Sequence, residues 1–167
     1  TRHSKVLLSH FNISTPLISY FEHNEFSRIP KLMDHLKGGN DLAVITDAGT
    51  PGISDPAYRL VREAITLSIN VESLPGPSAF LAGLTSSGLP TDRFIFEGFL
   101  PPKKGRKKRI ENLKAETGTI VIYENINRLQ KTIKQLLDML GDRPAVICRE
   151  LTKIHEETIR GTLSSLL

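Results

Sequence analysis

The sequence predicts a two-domain α/β protein, with a mainly parallel sheet in its first half and a mixed sheet in its second. Three observations carry this. Helix-type and strand-type apolar patterns alternate along the chain. Pro75-Gly76-Pro77 interrupts them sharply, the clearest turn signal present. The late segment Glu156–Gly161 alternates in the way of a strand that pairs antiparallel with a neighbour. A length of 167 residues accommodates two small domains with real cores, and the boundary is placed at the Pro-Gly-Pro, giving residues 1–76 and 77–167.

The elements follow in order. His3 to Asn12 suggests a short helix, and Leu17 to Tyr20 an extended stretch. Ser27 is the expected cap of a helix whose stripe is Ile29, Leu32, Met33 and Leu36, with Pro30 tolerated in its first turn and Gly38-Gly39 ending it. A strand over Asp41–Thr46 comes next, then a helix from about Pro56 to Ser68 and a strand around Ile69–Leu74. Ser78 caps a helix that stops at Gly88. Beyond it lie a strand at Arg93–Phe99, a basic turn and helix at Lys103–Ala115, and a strand at Thr119–Tyr123. An amphipathic helix carries Leu129, Ile133, Leu136, Leu137 and Leu140, and Ala145–Glu150 forms a further strand. Both ends read as cut. A first strand of the N-terminal domain and a last strand of the C-terminal domain are expected to lie outside the chain.

Composition narrows the function classes. The 39% hydrophobic and 24% charged content is that of an ordinary globular protein, and no apolar run approaches the roughly 20 residues of a membrane span. The single cysteine, Cys148, sits in an apolar run, excludes an internal disulfide and fits a reducing cytoplasm. Five histidines form no H-E-x-x-H pair, so no metal site is expected.

The chemistry concentrates in two segments. Asp47-Ala48-Gly49-Thr50-Pro51-Gly52-Ile53-Ser54-Asp55-Pro56 joins a strand end to a helix start, where open α/β sheets bind ligands. It matches neither G-x-x-x-x-G-K-[ST] nor G-x-G-x-x-G, and its charges are acidic. A ligand with hydroxyls, an amino group or positive charge suits it better than a polyphosphate. Ordinary helix-start chemistry accounts for Ser54, Asp55 and Pro56; Asp47 to Pro51 are left to a ligand. In the second segment, Lys103, Lys104, Arg106, Lys107, Lys108 and Arg109 surround Gly105 with no interleaved acid. These cations oppose the dipole of the helix they start and read as a site for a polyanion.

The ordered series Thr1-Arg2-His3-Ser4, Leu8-Ser9-His10-Phe11, Asp47 to Pro56, Leu74-Pro75-Gly76-Pro77-Ser78-Ala79, Ser87-Gly88-Leu89-Pro90-Thr91-Asp92-Arg93-Phe94, Glu97-Gly98-Phe99-Leu100-Pro101, Tyr123-Glu124 and Arg149-Glu150-Leu151-Thr152-Lys153 covers essentially the whole chain. It resembles the bacterial 16S ribosomal RNA (cytidine-2′-O-)-methyltransferase branch of the tetrapyrrole methylase superfamily. The resemblance implies a two-domain tetrapyrrole methylase-like fold and S-adenosyl-L-methionine bound in the cleft between the domains. It also implies a homodimer, a cytoplasmic location and the small ribosomal subunit with its 16S rRNA as partner. Cofactor contacts implied are Asp47, Ala48, Gly49, Thr50 and Pro51, then Ser78, Ala79, Tyr123, Glu124 and Leu151.

A ribose 2′-hydroxyl is a weak nucleophile, so a neighbouring base or charge would help it. Candidates are Glu150, Lys153 and Glu97, with Arg149 positioning a phosphate; Arg149 and Glu150 read equally as a structural ion pair, and Glu97 as a surface acid. Lys103, Lys104, Arg106, Lys107, Lys108 and Arg109 would hold the RNA backbone, leaving base choice to shape and splayed nucleotides. Two other readings stay open: a tetrapyrrole or other small-molecule methylase of the same fold, and a non-catalytic RNA-binding fragment.

Overall fold

Leu32 and Met33 on one helix meet Leu60 and Ala64 on another, and this buried cluster is the core of the first of two compact units. The computed structural model describes residues 2–167; Thr1, which opens the Thr1-Arg2-His3-Ser4 motif, lies outside them. The units are Thr1–Pro77 and Ser78–Leu167.

In the first unit the helices are α1 (Arg2–His10), α2 (Glu25–Lys37) and α3 (Ala57–Thr66). Tyr20, Ile29, Leu36, Leu42, Leu67 and Ile69 pack around the α2–α3 core. Asn24, rather than Ser27, stands at the N-cap of α2. Its side chain closes the preceding turn by accepting the Phe21 N–H at 2.9 Å and donating to the Ser19 carbonyl at 3.1 Å. Pro30 therefore sits in the second turn of α2, where its missing N–H removes one helical hydrogen bond.

The parallel sheet expected in this unit has no ladder among the described residues. Residues 41–46 and 69–74 are not strands. Their apolar sequences are strand-like, but a strand exists only by pairing and neither segment has a partner. Val44, Ile45, Val71 and Leu74 stay exposed as a result.

The second unit begins with α4 (Ala79–Ser87) and continues through β1 (Phe94–Phe99), α5 (Arg106–Asn112), a 3-10 turn at Leu113–Ala115, β2 (Thr119–Tyr123), α6 (Ile126–Leu140), β3 (Pro144–Arg149) and β4 (Glu157–Thr162). β1 pairs parallel with β2, from Phe94 opposite Thr119 to Phe99 opposite Tyr123. β3 pairs antiparallel with β4, from Pro144 opposite Thr162 to Arg149 opposite Glu157. Both pairing senses of the expected mixed sheet are present, in two separate two-stranded ladders. The fold is thus mixed α/β.

The parallel ladder is interrupted once. Phe96 faces Val121 and Gly98 faces Ile122, so Glu97 is the extra residue of a bulge. Gly98 takes a positive φ of 65° there, a conformation cheap only for glycine.

Helix α4 is held at both ends. At its C-terminus Arg160 of β4 donates to the Ser87 carbonyl at 3.0 Å and the Ser86 carbonyl at 2.6 Å, placing a cation where the helix dipole is negative. At its start the Phe80 N–H donates to the Tyr123 hydroxyl oxygen on β2. An aromatic cluster fills the space beneath: Phe80 stacks on Phe96 at 4.5 Å between ring centroids, and Tyr123 meets Phe96 edge-on at 5.0 Å.

Candidate functional site

Asp55 fastens the glycine-rich loop of the first unit. One carboxylate oxygen accepts from the Thr46 hydroxyl at 3.0 Å and the other from the Ala57 N–H at 3.3 Å. A single side chain thereby ties the residue before the loop to the first turn of α3. Within the loop Gly49 has φ 77°, and a methyl group there would lie 3.7 Å from the Pro77 carbonyl oxygen. The Thr50 hydroxyl donates to that same carbonyl at 2.8 Å. The Pro-Gly-Pro turn and the loop are thus one local structure.

Fastened in this way, the loop turns its chemistry outward. Asp47, Ala48 and Gly49 are exposed, and Thr50 and Pro51 half-buried. The Asp47 carboxylate lies 3.7 Å from His3 Nδ1, and both side chains are mostly in solvent.

In the second unit the residues expected at the cofactor divide. Ser78 has the extended backbone of an N-cap but makes no side-chain cap. It is half-buried, with its carbonyl accepting the Ala82 N–H at 3.0 Å, and Ala79 is exposed. Leu151 is half-buried near Gly83 of α4. Tyr123 and Glu124, in contrast, have their polar atoms engaged by the protein itself.

Glu124 lies at the centre of a buried network. Its Oε2 accepts from Thr132 Oγ1 at 2.7 Å and from Arg106 Nη2 at 3.3 Å; its Oε1 accepts from the Asn125 N–H at 2.8 Å and pairs with Arg128 at 2.9 Å. Burial pushes the carboxyl pKa up, but these hydrogen bonds and the Arg128 charge outweigh it, and the net value falls below the usual range.

Arg106 closes the other side, donating from Nε to Gln135 Oε1 at 2.8 Å and from Nη1 to the Pro101 carbonyl at 3.2 Å. At 6% exposure it is no surface contact, which corrects its expected place among the RNA-binding cations. A buried guanidinium is stable here because acceptors surround it. Thr132 and Gln135 went unanticipated from sequence; the four-residue spacing of Glu124, Arg128 and Thr132 is a signal for Thr132, and Gln135 has none.

The remaining basic residues face solvent. Lys103, Lys104, Lys107, Lys108 and Arg109 are exposed. Lys107 lies 3.9 Å from Glu111, and Arg109 pairs with Glu97. Ile110 and Leu113 are buried on the inner side of this segment.

The candidate bases separate too. The Glu97 side chain is 4% exposed and held by Arg109, so it is not the surface acid considered from sequence. Arg149 faces Glu157 across the β3–β4 ladder and is ion-paired with it. Glu150 and Lys153 form an exposed pair at 3.2 Å on the turn between these strands. That turn contains two non-glycine residues with positive φ, Glu150 at 50° and Thr152 at 67°. Glu156 stabilises it by accepting the Thr152 N–H at 2.6 Å.

A cavity of about 730 Å³ lies within this unit, bounded by β2, β3 and α6. Ile120, Ile122, Val146, Leu129, Leu136 and Leu166 make it mainly apolar, and Glu124 is the only expected site residue on its wall. Among the described residues no group of histidine, cysteine or acidic side chains could hold a metal. No described helix is long and apolar enough to cross a membrane. Cys148 is half-buried and unpaired in any disulfide.

The family model for Tetrapyrrole (Corrin/Porphyrin) Methylases matches residues 3–167. Curated relatives named Ribosomal RNA small subunit methyltransferase I match over nearly the whole chain. The Thermotoga maritima protein is 43% identical over 167 residues, covering 100% of this chain and 75% of its own. The Halalkalibacterium halodurans protein is 48% identical, over 98% of this chain and 57% of its own. The Mesorhizobium japonicum protein is 49% identical, over 99% and 57%. The chain thus spans little more than half the length of the latter two.

Proposed function

Because the chain belongs to the tetrapyrrole (corrin/porphyrin) methylase family, we propose that it is the body of an S-adenosylmethionine-dependent methyltransferase that 2′-O-methylates a cytidine ribose in 16S ribosomal RNA. The observation that carries the choice of substrate is the exposed run Lys103, Lys104 and Lys108, which has no acidic partner among the described residues. A polyanion is the natural counterpart of such a surface. The names of the curated relatives point to the same substrate class. The reading includes a homodimer working in the cytoplasm on the small ribosomal subunit, supported by the motif resemblance alone.

The first-unit loop fits the cofactor in its donor set. Asp47 offers a mostly exposed carboxylate, and Ala48, Gly49 and Thr50 a backbone held in shape by Asp55 and Pro77. Such groups complement a positive sulfonium and hydrogen-bond to amino and hydroxyl groups. When bound, S-adenosylmethionine supplies an electrophilic methyl group on its sulfonium. The residues of the chain orient the partners and handle the proton, and orientation is the larger contribution to such a displacement. Ser78, Ala79 and Leu151 are the second-unit candidates for cofactor contact. Tyr123 and Glu124 act on the framework, Tyr123 by setting the start of α4 and Glu124 by anchoring Arg106.

For the proton, Glu150 is the proposed acceptor from the 2′-hydroxyl, and Lys153 stabilises the developing alkoxide. Their mutual pair at 3.2 Å is exposed and easily opened by a substrate. Arg149 supports the turn through Glu157 and is a weaker candidate for phosphate positioning.

The test is methyl transfer by the full-length protein to 16S rRNA, with the product mapped by resistance of the modified ribose to alkaline cleavage. Labelled methyl appearing at a cytidine 2′-oxygen is the expected result. Cofactor binding without methylation of any 16S ribose, or transfer to a tetrapyrrole precursor instead, would reject the reading.

A further inference from the structure

Between Lys103 and Lys134 the arginines and lysines are used differently. Arg106 and Arg128 both bind Glu124, and Arg109 binds Glu97. Lys103, Lys104, Lys108, Lys114, Lys131 and Lys134 make no ion pair among the described residues, and Lys107 only a long, exposed one. The guanidinium groups hold the scaffold, and the free charge is ammonium.

The Arg106 network also fixes where that free charge stands. Its bonds to Thr132 and Gln135 lay α5 along the α6 face made by Arg128, Thr132 and Gln135. Lys131 is three residues after Arg128 and four before Gln135, so it lies on the shoulder of that same face. It is exposed. The acids nearby are accounted for: Glu124 is buried and bound by Arg106 and Arg128, and Glu111 lies by Lys107. Asp138 is four residues after Lys134, which dilutes the charge of Lys134 more than that of Lys131.

We infer that Lys131 on α6 is a further phosphate-binding position, additional to those proposed at Lys103, Lys104 and Lys108, and that its ligand is the RNA backbone. This rests on the proposed RNA substrate. An ammonium is a compact point charge that contacts phosphate without the planar fork used to read base edges. The surface therefore sets the register of the RNA and carries no sequence information.

The experiment is binding of a 16S rRNA transcript to the full chain over a salt series, for the parent, K131Q, K131R, K104Q/K108Q and K31Q. Lys31 is an exposed lysine of the first unit and reports the effect of net charge alone. K131Q should reduce the slope of log affinity against log salt by about 0.7–1, as loss of one phosphate contact does. K131R should restore it, and K31Q should leave it unchanged. A normal slope in K131Q with a reduced slope in K104Q/K108Q overturns the α6 position while sparing the RNA reading. Equal effects of K131Q and K31Q overturn it as well. No change in either K131Q or K104Q/K108Q removes both.

Discussion

The hydroxyl oxygen of Tyr123 accepts the backbone N–H of Phe80 at 3.1 Å, across 43 residues of sequence. Ser78 stands at the N-cap of α4 but its side chain makes no cap hydrogen bond, so a phenol from a neighbouring strand does the work of a capping side chain. Y123F keeps the aromatic packing and deletes only this acceptor. It should cost about 1 kcal/mol, the usual value of an N-cap, read as a lower urea midpoint with unchanged slope. An unchanged midpoint would mean that water replaces the phenol at no cost.

Glu124 should make stability depend on pH in a defined direction. Its folded pKa lies below its unfolded one, so its contribution is full above the unfolded value and is lost as pH falls through the folded value. E124Q leaves Arg106 and Arg128 without their carboxylate and should cost roughly 3–5 kcal/mol at neutral pH. The gap between parent and E124Q should narrow as the pH is lowered into and below the carboxylate range. Denaturation midpoints at several pH values check this, and a gap that widens in acid would refute it.

Residues of the basic run should not behave alike. R106Q should lower the melting temperature, since it removes the buried guanidinium and leaves Glu124 short of a donor. K104Q should change stability by no more than about 0.5 kcal/mol, as exposed substitutions generally do, and weaken RNA binding instead. Thermal melts and a salt-dependent RNA titration on the two variants separate these outcomes. Equal loss of stability in both would contradict the division of roles.

Asp47 supplies a charge test at the proposed cofactor loop. If its carboxylate complements the sulfonium, D47N should weaken S-adenosylmethionine more than S-adenosylhomocysteine, whose thioether is neutral. A charge-assisted contact of about 1.5–3 kcal/mol corresponds to roughly a tenfold to hundredfold loss for the charged ligand. Calorimetry with the full-length protein and both ligands gives the ratio; equal losses would assign Asp47 to loop structure.

Gly118 permits a test independent of function. A methyl group there would come 2.8 Å from the Arg93 carbonyl oxygen, a backbone atom that cannot swing away. G118A should destabilise by about 1–3 kcal/mol through overpacking, visible as a lower denaturation midpoint. A neutral result would show that the Arg93 strand entry yields easily.

Much of this was legible in the sequence, for identifiable reasons. The stripe of Leu129, Ile133 and Leu136 specified α6, and Gly38 and Gly88 specified where helices stop. The loop at Asp47 was legible as a shaped turn between a strand-like segment and a helix start, because its glycines, prolines and acids cluster there. Two kinds of feature were not. Pairing is non-local, so residues 41–46 carry a strand-like pattern without a ladder. Burial of a charge is also non-local. Nothing within the basic run distinguishes Arg106 from its neighbours until Glu124, Thr132 and Gln135 are folded around it.

Helix α4 is the one element of the second unit bonded at its two ends to two different ladders, at Phe80 by the parallel pair and at Ser86 and Ser87 by the antiparallel one. Mechanically it is a tie-rod. Its length sets the separation between Arg160 on β4 and the Tyr123 hydroxyl on β2, so the two ladders of this unit are spaced by one nine-residue helix as well as by their packing.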